Sequence, residues 1–296
     1  MAVTPAMRAV AAPATGPRLV LKRLFGAAWL GWQIESNWAA PLTFAVYTLI
    51  RPIGTALILG GMYWAAGGAA RRPELFAGFY VANALHEYVT RVLVGMGWVV
   101  VEEREEYETL KLVYTSPVGM RTYLAGRALV KFGLATFTAT LVLALGWWLL
   151  GVKWSWHEVR WLPLALTLVS SWIATMMLGF LVAGAALMLP RIAVSFNEGL
   201  AVALYLLCGV IFPIDLLPHG LRELSLLLPF TYGYEALRRF LIGRGASALL
   251  GGWSDGALLG ALIATTILMG FVGWIGYGAL ERKARRDGRL DQTTLF

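Results

Sequence analysis

The sequence predicts an all-α protein that crosses a membrane several times. Of its 296 residues, 58% are hydrophobic and only 14% are charged, a balance too apolar for a soluble domain of this length. Apolar runs of about 20 residues, enough for a helix to cross a bilayer core about 30 Å thick, recur between short polar segments. These runs lack the polar and apolar alternation of membrane β-barrels, so helices rather than strands are expected.

Six runs meet this length and define a transmembrane domain at residues 39–280. The predicted spans are residues 41–64, 75–101, 128–150, 161–189, 192–212 and 256–280. Residues 1–17 are rich in Pro and Ala and lack the charged start, apolar run and cleavage site of a secretory signal, so a disordered leader is predicted. Residues 281–296 form a basic tail.

The distribution of Lys and Arg orients these spans. Basic residues near the ends of short loops favour the cytoplasmic side, and they are more frequent in the segments that lie inside when both termini are cytoplasmic. The isoelectric point near 9.8 follows from this topology. A basic patch interleaved with aromatic residues, as in RNA-binding surfaces, is not found in the sequence, so the lipid bilayer and not a nucleic acid is the expected partner.

Before the first span, residues 18–38 have the pattern of an amphipathic helix. Leu21, Phe25, Ala28 and Trp32 follow one another at spacings typical of one helix face, with basic and polar residues on the other side. Such a helix suits the headgroup layer of the membrane. The alternative is an early extension of the first span.

The segment between the second and third spans carries an unusual concentration of charge. Five of the chain's 17 acidic residues lie there: Glu102, Glu103, Glu105, Glu106 and Glu108. A short apolar stretch follows and ends at Ser116-Pro117, which disfavours helix at the residue before the proline. The pattern predicts a helix, a proline turn and a second short helix that form a compact polar surface for a partner at the inner face. The alternative is a solvated helix end, the usual role of a charge run.

Ionisable residues also occur inside the predicted spans, where a charge costs several kcal/mol unless it is paired or hydrated. Arg51 and Glu87 are expected at similar depth in the first two spans, and Arg91 follows Glu87 by four residues, the spacing of a helical ion pair. With the adjacent His86 they form a predicted intramembrane polar cluster. Two interpretations stay open: a cluster that locks two helices together, and a polar lining of a path through the membrane.

A metal site is not predicted at this cluster. His86-Glu87 begins like the helix of a zinc protease, but Thr90 stands where the second His would be. Glu198, near the inner end of the fifth span, is interpreted as a residue that snorkels to the interface or pairs with Arg191.

Between the fifth and sixth spans, residues 213–255 are divided by Pro213, Pro218 and Pro229 into short helical pieces. These pieces are too apolar for a free external loop, so a re-entrant hairpin that dips into the outer leaflet is predicted. The hairpin caps the exit of a path in one interpretation and is a purely structural lid in the other.

Two groups of residues, in this order along the chain, resemble those of a known family. The first is Glu103-Arg104-Glu105, Thr109-Leu110, Ser116-Pro117-Val118 and Leu124-Ala125-Gly126-Arg127. The second is Gly209-Val210-Ile211-Phe212-Pro213, Leu217-Pro218, Leu228-Pro229-Phe230-Thr231-Tyr232, Glu235-Ala236-Leu237-Arg238 and Gly243. Within a six-span layout over about residues 18–280, they resemble the type-2 permeases of ATP-binding-cassette (ABC) exporters. Glu108 and Lys111 depart from the family pattern, which has a glycine before the Thr-Leu pair and an acid after it.

The resemblance implies a non-catalytic subunit that forms half of a translocation path, together with a second permease chain that is identical or homologous. Separate ABC ATPase subunits would bind ATP and Mg, and this chain would bind no cofactor; it has no phosphate-binding G-x-x-x-x-G-K-[ST] motif. The implied location is the plasma membrane, here a bacterial or archaeal cytoplasmic membrane. The implied cargo is an amphiphilic drug, a lipid or a glycan-type molecule.

The resemblance also assigns roles to particular residues. The coupling segment that contacts the ATPase would comprise Glu102, Glu103, Arg104, Glu105, Glu106, Thr109, Leu110, Ser116 and Pro117. The outer hairpin would comprise Pro213, Pro218, Pro229, Tyr232, Glu235 and Arg238.

Two other classes of protein, a membrane enzyme and a carrier that works without ATP, fit the sequence less well. A membrane enzyme that acts on lipid-linked substrates should gather several polar residues at one membrane face, but the acidic segment has no His, Asp or Asn among them. A carrier that works without ATP should show inverted repeats and paired broken helices, and no convincing repeat relates the two halves of the sequence.

Overall fold

The computed structural model describes residues 16–37, 39–65, 73–152 and 154–291. Across these residues the secondary structure is helical and contains no strand, which confirms the all-α class. The predicted leader falls outside the described residues except for Gly16 and Pro17, and the last residues of the basic tail also lie outside them.

The helices follow one another along the chain and are joined by short segments. They are α1 Pro17–Asn37, α2 Pro41–Ala65, α3 Pro73–Glu106, α4 Leu110–Thr115, α5 Met120–Leu149, α6 Trp161–Met188, α7 Ala193–Leu207, α8 His219–Leu226, α9 Pro229–Ile242, α10 Ala248–Gly251 and α11 Asp255–Arg286. We call the end of the bundle that carries α4 the inner end, after the orientation that the charges predict.

Helix α3 is one long helix that contains two π-helical stretches. It begins as the α-helix Pro73–Tyr88, widens into a π-helical stretch at Val89–Val94, returns to α-helix at Gly95–Val101 and ends in a second π-helical stretch at Glu102–Glu106. Wide π-helical turns are rare and often mark functional positions. Most of the acidic run therefore continues the second span rather than forming a separate helix, and the short helix that follows is α4.

Five helices of the described chain are long and apolar enough to cross a membrane. They are Pro41–Ala65, Phe76–Glu106, Met120–Leu149, Trp161–Met188 and Asp255–Arg286. Helix α5 begins at Met120, well before the predicted start of the third span at residue 128. The residue before it, Gly119, has a φ of 74° and lies outside the helix.

The fifth predicted span, at residues 192–212, is not a single long helix. Its α-helical part is α7, whose 15 residues extend about 22 Å at 1.5 Å per residue, less than the bilayer core of about 30 Å. The helix ends because Gly209 adopts a left-handed backbone with φ of 80°, the usual way to terminate a helix. The sixth crossing stays a prediction.

Helix α1 is separate from α2, because it ends at Asn37 and α2 begins at Pro41. It packs on α5 at very short range: a Cβ added to Gly126 would lie 2.5 Å from the Cβ of Ala27, so the contact requires glycine there. Aromatic side chains on the other side of α1, such as Phe25 and Trp29, are exposed. This apolar face fits the predicted position in the headgroup layer, which stays a prediction.

The core of the bundle is held by close contacts between long helices. The longest contact joins α6 and α11, where Gly273 lies against the backbone of Met177, the kind of small-residue contact that membrane helices use. Helix α2 lies at the edge and buries only Thr48, Pro52, Ala56 and Gly60. Most of its surface is therefore left for lipid, for another chain or for a path.

Candidate functional site

The acidic segment at the inner end does not face solvent throughout. The carboxylate of Glu103 is buried, with only 2% of the residue exposed. It accepts hydrogen bonds from the hydroxyls of Thr109 and Tyr123 and from Nη1 of Arg127 at 3.3 Å. Glu103 thus ties the end of α3 to α5 and to the residue that precedes α4.

Arg127, on α5, is fully buried and gathers acids from two other helices. Its Nη2 donates to Glu102 at 2.9 Å and lies 3.7 Å from Glu35 of α1. Lys131, one turn further along α5, forms a second and closer ion pair with Glu35. We call Glu35, Glu102, Glu103, Tyr123, Arg127 and Lys131 the inner charge network.

The pKa of Glu35 reflects its cationic neighbours in this network. Burial favours the neutral acid and would by itself raise the pKa of Glu35, but the Lys131 ammonium and the Arg127 guanidinium outweigh it, and the pKa is lowered. Glu35 is therefore held in its charged form, as a paired carboxylate should be. The contact joins the amphipathic helix α1 to the inner end of α5.

Arg104 performs a different task from its acidic neighbours. It is buried and donates to the carbonyl oxygens of Ala186 and Leu187, both at 3.0 Å. These carbonyls belong to the last turn of α6, where helical oxygens have no partner within the helix. Arg104 thereby fastens the end of α3 to the end of α6.

The exposed part of the predicted coupling segment is its tip. Leu110 is buried, but Leu112 of α4 has 66% of its surface exposed, and Glu106, Glu108 and Pro117 are exposed as well. The buried acids thus support an apolar and acidic tip. Ser116, which ends α4, donates its hydroxyl to a carbonyl of the same helix, and Glu105 lies half-buried beside the network.

Glu108 is the only non-glycine residue of the described chain with a positive φ, at 54°. This left-handed backbone is unfavourable for a residue with a Cβ. The resemblance to the type-2 permeases implies a glycine at this position. The backbone therefore keeps the conformation that a glycine would favour.

The intramembrane polar cluster is partly assembled as predicted. Glu87 and Arg91 form the expected ion pair at 3.6 Å, and Arg91 also donates to the carbonyl of Thr48 on α2 at 2.8 Å. Nδ1 of His86 lies 2.8 Å from the hydroxyl of Tyr234 on α9. Arg51 is exposed, and no carboxylate in the described part of the chain lies within 4.0 Å of it, so the expected Arg51 and Glu87 pair is not formed directly.

A polar cavity of about 190 Å³ explains where Arg51 points. Its polar lining comes from α2, α3 and α7 and comprises Arg51, Thr55, Asn83, His86, Glu87, Thr90, Glu198 and Tyr205. The first π-helical stretch of α3, Val89–Val94, lies along this wall. The cavity adjoins a larger cleft of about 770 Å³, with which it shares Arg51, Glu87 and Glu198.

Sequence reasoning missed part of this lining. Glu198 faces the cavity, although its spacing suggested an interfacial role. Tyr205 donates to Asn83 at 2.8 Å across the cavity wall. Helical periodicity could have placed Tyr205 on the same face as Glu198, since seven residues make about two helical turns. Asn83 could not have been found without knowing how α3 packs on α7.

The predicted outer hairpin is held from inside by Arg238. This fully buried guanidinium donates to the carbonyls of Gly78 at 2.8 Å, Gly209 at 2.6 Å and Val210 at 3.0 Å. It therefore joins α9 to α3 and to the turn after α7. Glu235 lies 3.8 Å from it and accepts from the backbone of the loop that follows α9.

The remaining predicted residues of the hairpin shape its turns. Tyr232 donates to the carbonyl of Leu226 at 2.8 Å. Pro229 occupies the first turn of α9, where its missing N–H is not needed, and Pro213 and Pro218 precede short helical turns. The structure brings these residues into one packed unit next to the cavity, while the depth of that unit in the membrane stays a prediction.

The chain matches a known protein family. A family model described as "ABC-2 type transporter" matches residues 28–242, from α1 through the outer hairpin. A search of curated proteins finds no match. Proteins with this domain are membrane components of transporters, generally without catalytic activity, and generally pair with ABC ATPases. Because the match covers most of the chain, this multi-pass membrane protein belongs to the ABC-2 type transporter family.

Proposed function

We propose that this chain is the permease subunit of an ABC exporter and forms half of the translocation path. A second permease chain, identical or homologous, supplies the other half. Separate ATPase subunits bind ATP and Mg and drive the cycle, and this chain binds no cofactor itself. The cargo is an amphiphilic drug, a lipid or a glycan-type molecule, exported across a bacterial or archaeal cytoplasmic membrane with both termini of the permease in the cytoplasm.

The observation that carries this proposal is the exposed tip on a buried charged base. Leu112 projects from α4, while Glu103 and Arg127 fix the base of the same hairpin to α5 and, through Glu35, to α1. Buried ion pairs of this kind are costly to break. A push on α4 by an ATPase would therefore move α1, α3 and α5 together instead of bending the hairpin.

The position of Arg51 supports a path along α2. An arginine inside a span is expensive unless water, a counter-ion or a partner meets it. In the protomer its side chain is exposed and lines the polar cavity. Helix α2 is also the least buried of the candidate spans. A second permease chain across this face would enclose the polar lining.

Co-purification with candidate ABC ATPases tests the coupling role. Leu112→Asp places a charge on the proposed contact without touching the inner charge network, and it should abolish recovery of an ATPase that wild-type chain retains. Leu227→Asp is the matched control, because Leu227 is similarly exposed, at 62%, but lies within the outer hairpin, between α8 and α9. The proposal would be contradicted if both variants lost the ATPase equally, or if the ATPase were recovered with Leu112→Asp as it is with wild-type chain.

A further inference from the structure

Not every charged side chain that lines the polar cleft is part of an ion pair. Glu35 pairs with Lys131, Glu102 with Arg127 and Glu87 with Arg91. Two lining residues are left over in the described part of the chain, Arg51 and Glu198, both exposed and without an ion-pair partner there. They carry opposite charges and face the same space.

An apolar cleft of about 710 Å³ lies beside the polar one. Aromatic side chains of α1, α2 and α5 line it, among them Phe25, Trp29, Phe44 and Phe137. Its surface is almost wholly apolar, and it shares Leu134 with the polar cleft. Helix α2 thus borders an apolar cleft and a charged cleft on neighbouring faces, and Leu134 of α5 lies where the two clefts meet.

We propose that the two clefts form one binding site for a zwitterionic membrane amphiphile. Its anionic group pairs with Arg51, its cationic group with Glu198, and its alkyl tail occupies the apolar cleft. This inference rests on the proposed transport function, since it names the class of cargo.

The choice of a zwitterion follows from the charges. An anionic headgroup would satisfy Arg51 but would bring a negative charge close to Glu198 and Glu87, which line the same cavity. A cationic headgroup would have the reverse problem at Arg51 and Arg91. Leaving either charge unmatched at membrane depth costs free energy, so a headgroup with both charges is the best complement. Asn83 and Thr55 add hydrogen-bonding groups to the cavity wall.

Native mass spectrometry of the purified chain tests this site without any ATPase. The chain, in dodecyl maltoside micelles, is mixed with equal amounts of dodecylphosphocholine, dodecyl phosphate and dodecyltrimethylammonium, which share one tail. Wild-type chain should retain one dodecylphosphocholine in preference to the purely anionic probe and the purely cationic probe. Arg51→Gln should raise the Kd for dodecylphosphocholine about ten-fold, equivalent to about 1.4 kcal/mol, and Glu198→Gln should remove the preference for dodecylphosphocholine over dodecyl phosphate.

Matched controls separate this site from general charge effects. Arg191→Gln and Glu223→Gln remove exposed charges that line neither cleft and should leave retention unchanged. The unfolding midpoint of each variant shows that the chain is folded.

Three results would overturn the proposal. Retention that is independent of the headgroup means ordinary detergent on the apolar surface. Equal retention of dodecyl phosphate, insensitive to Glu198→Gln, means an anion site. An Arg51→Gln variant that changes the oligomeric state but not probe retention means that a second copy of the chain neutralises Arg51. Each can occur while the ATPase still docks at α4, so failure here is distinct from failure of the proposed function.

Discussion

Arg127 is a fully buried cation that meets three carboxylates and a tyrosine. A guanidinium carries five donors in a planar fork, so one side chain can bind several acids at once. Two of those acids, Glu102 and Glu103, come from the run that otherwise suggests a solvated surface. At this scale the acidic run has two roles: its first members hold the base of the hairpin, and its later members face outward.

We predict that Glu103→Gln loosens the hairpin. The amide keeps the volume of the acid, but it removes the charge that faces Arg127 and turns a donor toward groups that themselves donate. Because Glu102 stays next to Arg127, the expected cost is about 1 to 3 kcal/mol. The measurement is limited trypsin cleavage at Lys111, which should become faster.

Glu106→Gln is the control for that change, because Glu106 is exposed. Trypsin should cleave this variant at Lys111 at the wild-type rate. If Glu103→Gln and Glu106→Gln behave alike, the buried carboxylate does not hold the hairpin.

The backbone at Glu108 leads to a prediction of opposite sign. Glu108→Gly relieves the left-handed strain, which is worth about 1 to 2 kcal/mol, while glycine loses about 0.5 to 1 kcal/mol of chain entropy on folding. A small net gain of stability is expected, seen as a higher unfolding midpoint of the purified chain in detergent.

The same replacement two residues earlier should have the opposite effect. Glu106→Gly introduces glycine at the last helical residue of α3, where its extra chain entropy costs at most about 0.5 to 1 kcal/mol. A lower midpoint for Glu108→Gly would show that the positive φ of Glu108 is not strained.

At the scale of elements, hydrophobicity predicts which segments are long and apolar but not where each helix ends. The second span was predicted to end at Val101 and to be followed by a separate helix, but α3 continues without a break through a π-helical stretch to Glu106, because Glu103 and Arg104 find partners inside the bundle. The apolar run at residues 192–212 was expected to be one span, yet α7 stops at Leu207. Gly209 was visible in the sequence, but a glycine within an apolar run indicates a helix end only when later residues pack back on it.

The outer hairpin depends on one side chain that reaches across three elements. We predict that Arg238→Met, which keeps an unbranched chain, leaves the carbonyls of Gly78, Gly209 and Val210 without their donor. Unsatisfied buried groups cost about 1 to 3 kcal/mol each, so the unfolding midpoint should fall markedly.

Arg191→Met is the matched control, since Arg191 is exposed and its loss should change the midpoint little. A midpoint for Arg238→Met equal to that of the control would mean that the hairpin is held by its apolar contacts alone.

At the scale of the whole molecule, the family and the all-α class could be predicted from motif order and composition, whereas the sites depend on long-range packing. The Glu35 and Lys131 pair joins residues 96 positions apart, and His86 meets Tyr234 over 148 positions. Such pairs follow from how α1 sits on α5 and α9 on α3, which no local pattern specifies. The cavity beside α2 depends on long-range packing in the same way.

At the scale of the whole molecule we propose a lever: α4 receives motion at the inner end, the inner charge network transmits it to α1, α3 and α5, and the cavity beside α2 responds. Cysteine cross-linking tests this most directly, because the single native cysteine, Cys208, is buried. The chain carrying Cys208→Ser and Leu112→Cys, in membranes with an ABC ATPase, should form an adduct with that ATPase, and ATP should change its yield. An adduct from Leu227→Cys but not from Leu112→Cys, or labelling of Leu112→Cys by an impermeant thiol reagent from outside the cell, would contradict the account.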